Sequence, residues 1–245
     1  MPSHSTDPST ATQAYWQAYG HIRNKILSGE FAGGERINPA DIGDELGISR
    51  MPAREALRQL DAEGLVTIRP NRGAVVTELT PAEVSELFEM RAVLEALAAR
   101  LALPHLTADD LVELETLRQR MDRARGDVKL WIQRHNEFHD FIVAHASRPR
   151  LAGDIRRMRD ALQPHLLLYI DVYKATEMSG FEHETMMDAI RSKNAQLLEL
   201  CVRDHVMSAG DGVIAFLEQR QAAAAPRRGR ARAAVAAEPK QVMAP

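Results

Sequence analysis

"LGISRMPAREALRQLDAEGL", residues 46–65, ends one short helix, turns, and starts a second that carries arginine at every fourth position. Gly47 is a helix stop and Ser49 an N-cap, so the turn between the helices is short. Arg50, Arg54 and Arg58 then line one face of the second helix. Ala56, Leu57 and Leu60 point away from them, toward a small core shared with Ile42, Leu46 and Leu65. A helix with long forked donors on one side and an apolar back suits the phosphate backbone and the O6/N7 edge of guanine.

Outward from this stretch the same design continues. Upstream, "NPADIGDELG" (38–47) offers Asn38 as N-cap and Pro39 at the first helical position. Before it, Ile22, Ile26 and Leu27 share one face of a helix that stops at Gly29. Downstream, "LVTIRPNRGAVVTEL" (65–79) holds two β-prone runs, Leu65–Ile68 and Ala74–Thr77, parted by Pro70, Asn71 and Gly73. This is a two-stranded wing, with Arg72 at its turn placed to reach a DNA backbone or minor groove. Residues 15–78 therefore read as a winged helix-turn-helix. The competing reading is a solvated charged face. Residues 1–80 carry eight Lys/Arg against ten Asp/Glu, a net −2, so only the local clustering of arginine speaks for DNA.

After Thr80 the β-prone pattern disappears. Thr80 and Thr107 cap two long helices, and further apolar periods fall near 127–146, 149–173, 180–192 and 194–220. Six helices with short connections make an all-α bundle over residues 79–220. Residues 1–14 and 221–245, the latter rich in Ala, Arg and Pro, read as unstructured tails. The fold class is mainly α: a winged head followed by a six-helix bundle.

"HNEFHDFIVAH" (135–145) sets three histidines into one of those helices. Trp131, His135, Phe138 and Ile142 follow intervals of four, three and four, so His135 lies in the apolar stripe and His139 beside it. His183 precedes Met186 and Ile190 by three and seven, and His205 follows Leu198 and Cys201 by seven and four. Each of the four, taken alone, reads as a satisfied core histidine. Together, as an i, i+4 pair plus single residues from two other helices, they form a ligand set of the kind that helical bundles use for metals. Arg91 stands in the inner face defined by Val84, Leu87, Phe88, Leu94, Ala98 and Leu101. A charge there needs an anion, either Glu95 one turn on or a bound carboxylate.

The head stretch, residues 22–76, resembles the DNA-binding head of GntR-family transcriptional regulators. It carries that family's pattern through "GGER", "LGISRMPAREALRQLDAEGL" and the "RG" of the wing, with Gly33 where many relatives have proline. The resemblance implies that Arg36, Arg50, Arg54, Arg72 and Gly73 contact operator DNA, with Ser49 and Arg58 beside them. Residues 82–217, through "LFEMRAVLEALAARLA", "HNEFHDFIVAHASRPRL" and "EHETMMDAIRSKNAQLLELCVRDHV", resemble the FCD (FadR-type C-terminal) effector domain. That implies a divalent metal on His139, His183 and His205, a small organic acid as effector, and a homodimer on a two-fold operator. His135 stands where the family has aspartate or asparagine, which leaves two ligand sets open, with or without it. An all-nitrogen set favours zinc, then nickel or copper, over manganese or magnesium. Arg91 is the expected second anchor of the carboxylate.

Composition narrows the classes further. Apolar residues make up 45% and charged ones 27%, with no apolar run of the roughly 18 residues that a membrane span needs. The N-terminus lacks the pattern of a secretory signal, and the single Cys201 admits no internal disulfide, so a cytoplasmic protein is expected. An enzyme is disfavoured: "HETMM" lacks the second histidine of a zinc-protease motif, and no phosphate loop or nucleophile elbow is present. A regulator that senses the metal ion itself is the remaining alternative.

Overall fold

The protein is described here by a computed structural model covering residues 8–69, 73–173 and 179–224. The head begins with α1 (Pro8–Leu27), which starts inside the segment expected to be an unstructured tail and ends before Gly29, at φ 73°. Next come β1 (Arg36–Ile37), α2 (Pro39–Leu46) and α3 (Arg50–Ala62). Asn38 caps α2 by accepting from the Ala40 amide, and Gly47 closes it in the left-handed conformation at φ 66°. Ser49 occupies the N-cap position of α3 but makes no side-chain capping bond. The wing pairs β2 (Val66–Arg69) with β3 (Gly73–Val76). It has a third strand: β1 pairs antiparallel with β3, giving the order β1-β3-β2. A two-residue strand is too short for any periodicity to reveal it. Ile22, Ile26, Leu57, Leu60, Leu65 and Val76 are buried together and form the core of the head.

The second unit is built from α4 (Pro81–Ala102), α5 (Ala108–Arg123), α6 (Val128–His145), α7 (Pro149–Tyr173), α8 (Ser179–Arg191) and α9 (Ala195–Ala224). Thr80 and Thr107 each close a capping box, with Glu83 and Asp110 as the reciprocal partners, so α4 and α5 start where the sequence puts them. The tight approach of α9 to its neighbours depends on two glycines. A Cβ on Gly210 would stand 2.8 Å from the Phe88 ring of α4, and one on Gly212 would collide with the Tyr169 hydroxyl of α7. The main core joins Phe138 and Ile142 of α6 to Met186 and Ile190 of α8 and Leu198 and Val202 of α9. These are the helices that carry the histidines.

Head and bundle touch through α1 and α7. Arg23 ion-pairs with Asp160, the Gln163 side chain donates to the Leu27 carbonyl (3.0 Å), and the Leu79 amide donates to His165 Nε2 (3.4 Å).

Candidate metal centre

Helix periodicity carries four imidazoles into one place. His135 and His139 come from successive turns of α6, His183 from α8 and His205 from α9. All four are nearly closed to solvent, His183 completely. Each offers a ring nitrogen, and these four atoms lie within 4.8 Å of one another. His135 Nε2 stands 3.0 Å from His205 Nε2, and His139 Nε2 stands 3.2 Å from His183 Nε2. Burial pushes His135 and His139 well below the ordinary histidine range, and the neighbouring imidazoles push them further. Both rings are therefore neutral at pH 7, and each neutral ring presents one lone pair.

This donor set fits a metal ion. Ligand nitrogens at about 2.0–2.1 Å from a tetrahedral zinc stand roughly 3.3 Å apart, close to the two short spacings. The surroundings also orient the ligands. His205 Nδ1 meets Glu182 Oε2 at 2.6 Å, which turns the Nε2 lone pair toward the cluster. Glu95 Oε2 lies 3.9 Å from His139 Nδ1, too far for a hydrogen bond but close enough to act through its charge. His135 is thus placed with the other three, whereas His145 turns away: its Nδ1 meets the Phe141 carbonyl and its Nε2 meets Asp110.

Arg91 lies beside this cluster, buried as its position in the apolar face of α4 predicts. Its Nε donates to Glu95 Oε1 at 2.9 Å, and its guanidinium sits 5.2 Å from the centre of the Phe88 ring. Glu95 is shared. Arg159 of α7 donates to both its oxygens, at 3.1 and 3.2 Å, and also grips Asp140. Burial alone would raise the Glu95 pKa, but Arg159 and Arg91 outweigh it and hold the carboxyl at about 2. Arg159 escaped the sequence reading, although Ile155, Arg159, Leu162 and Leu166 follow the same spacing that singled out Arg91. Glu182 carried no such signal, since its role depends on how α8 meets α9.

A cavity of about 80 Å³ opens against His135 and His205, with Arg91 and Glu182 also in its lining. Phe88, Trp131, Leu166, Tyr169 and Ile170 supply most of the remaining wall.

On the head, Arg50, Arg54 and Arg58 are exposed along α3, and none of their side chains has a hydrogen bond or ion pair among the described residues. Exposed Arg36 crosses from β1 toward Gly73, where a Cβ would lie 3.5 Å from its Nε. Arg69, which the sequence reading passed over, is exposed and stands opposite Gly73 in the wing register. Arg72 lies outside the described residues.

Comparison with known proteins bears on both units. Residues 14–76 match the model described as bacterial regulatory proteins, gntR family, and residues 86–208 match that of the FCD domain. The uncharacterized HTH-type transcriptional regulator YdhC of Bacillus subtilis (strain 168) is 28% identical over 201 residues, 80% of this chain and 88% of its own. The HTH-type transcriptional repressor RspR of Escherichia coli (strain K12) is 23% identical over 199 residues, covering 80% and 87%. Among solved structures, E. coli McbR/YncC superposes with a TM-score of 0.73 at 23% identity, over 85% of this chain and 98% of that one. These families and relatives are transcriptional regulators, not enzymes.

Proposed function

This chain belongs to the gntR family of bacterial regulatory proteins, with an FCD domain as its second unit, and we propose that this DNA-binding regulator is a metal-dependent sensor of a small carboxylate. One observation carries the proposal: four buried imidazoles converge on one point beside a cavity that also exposes a guanidinium. In this reading His135, His139, His183 and His205 hold a divalent ion, zinc first and nickel next, because four neutral nitrogens suit those metals. When bound, the ion supplies a fixed positive charge for an anion and no turnover. Arg91 holds the acid's carboxylate from the other side, and Glu182 and Glu95 orient and balance the ligands.

The head reads a two-fold operator through Arg36, Ser49, Arg50, Arg54, Arg58, Arg72 and Gly73, Arg54 aiming at base edges and the wing at the backbone or minor groove. The protein works as a homodimer, and Met90 and Val93 of α4 with Leu197 and Leu200 of α9, all exposed, supply an apolar face for a second copy. The role is that of a cytoplasmic repressor. RspR, a repressor by name, supports the sign, and no helix among the described residues is long and apolar enough to cross a membrane.

The Arg91–Glu95 ion pair favours a second reading, in which Arg91 is structural and the metal alone is the signal. Against it, the Arg91 guanidinium also lines the cavity beside His135 and His205, where an anion can reach it.

Two variants separate these readings. His139→Ala should lose most of its bound metal and its response to acid while still binding operator, because the head has a core of its own. Arg91→Ala should keep metal and operator binding and lose acid affinity. Elemental analysis and operator titrations with and without acid decide: full metal content in His139→Ala contradicts the ligand set. An unchanged acid response in Arg91→Ala leaves the metal-only reading.

A further inference from the structure

We infer that the acid is a monocarboxylate with an apolar tail, and not a hydroxy acid or a polycarboxylate. The inference rests on the carboxylate-sensing reading above and takes it further.

The first ground is charge. A divalent ion on four neutral imidazoles brings two positive charges, and Arg91 and Arg159 bring two more. Glu95, Asp140 and Glu182 return three negative ones, each already in contact with Arg159 or His205. One positive charge is left in or against a mostly buried site, and a single carboxylate neutralises it. A second carboxylate would enter with no cation to meet it and would carry the cost of an unpaired charge in a dry place.

The second ground is the wall. Beyond Arg91 and the imidazoles, the cavity is faced by Phe88, Trp131, Leu166, Ile170 and Val206, none of which can take a hydrogen bond from a ligand hydroxyl. The other polar groups in the lining are few: the Trp131 indole N–H, which can only donate, Glu182, Ser208 and Tyr169. Glu182 is held by His205, Ser208 is exposed, and the Tyr169 hydroxyl lies against Gly212 on α9. A hydroxyl on the tail would give up water to face a mainly apolar wall, which weakens binding roughly tenfold.

Isothermal titration of zinc-loaded full-length protein with a matched pair of acids tests this. Isovalerate and 3-hydroxybutyrate differ only by a methyl group exchanged for a hydroxyl, and succinate adds a second carboxylate at similar length. Isovalerate should bind at least tenfold more tightly than 3-hydroxybutyrate and succinate. In Val206→Thr, which adds a hydroxyl to the wall at nearly constant shape, the first ratio should shrink severalfold. Equal or reversed affinities in the wild type would overturn the inference while leaving carboxylate sensing intact. No binding by any of the three acids would overturn both.

Discussion

Glu95 stands between two guanidiniums in the bundle interior, bonded to Arg91 on its own helix and to Arg159 on α7. Its ionised form is favoured despite complete burial because two cations face it, and burial meanwhile pushes Arg91 downward. Glu95→Ala would leave Arg91 buried without its anion and Arg159 with Asp140 alone. Loss of one partner from such a group costs about 3–5 kcal/mol. Urea unfolding should show a loss of that size, and a loss below about 1 kcal/mol would mean that the arginines escape to solvent. The positions of Arg91, Glu95 and the four histidines were legible because each falls on a helix stripe that spacing alone marks as inward. Their convergence was not, since four inward faces can meet in many ways. Glu182 was illegible for the same reason: nothing local to α8 says that His205 of α9 will lie 2.6 Å away.

Among the secondary elements, the caps made the helices readable. Asn38, Thr80 and Thr107 all cap as their positions predict, whereas β1, formed by two residues and held by β3, has no pattern of its own. The close meeting of α2 and α3 depends on Gly43, which the sequence did not mark. A Cβ there would stand 2.8 Å from the Ile48 carbonyl and 3.5 Å from the Arg50 amide, both backbone atoms with little freedom to yield. Gly43→Ala must therefore push α3 away from α2 and tilt the arginine face. Overpacking of this kind costs about 1–3 kcal/mol. Thermal unfolding of the head should shift down, and operator affinity should fall tenfold or more. Normal operator affinity in this variant would show that the angle between α2 and α3 is not what aims the arginines.

Across the whole molecule, the histidine cluster and the head are joined by α7. Arg159 of that helix grips Glu95 beside the histidines, and the next residue, Asp160, grips Arg23 of α1. Gln163, one turn on, holds the Leu27 carbonyl at the end of α1, and His165 receives the linker amide of Leu79. An anion that competes for the arginines near Glu95 can thus change the seating of α7 and, through it, of the head. Asp160→Ala cuts one of these ties without touching the histidines. It should bind operator and acid like the wild type, while the change in operator affinity on adding acid, ordinarily about 5- to 150-fold in coupled systems, falls toward one. A full response would show that the signal takes another route, such as the dimer contact. X-ray absorption at the zinc edge, recorded on loaded protein before and after saturation with isovalerate, examines the candidate site itself. The expected result is imidazole scattering from the histidine set in both spectra and one added oxygen neighbour after the acid. Spectra without imidazole scattering, or spectra that the acid leaves unchanged, would contradict a histidine-held metal that anchors a carboxylate.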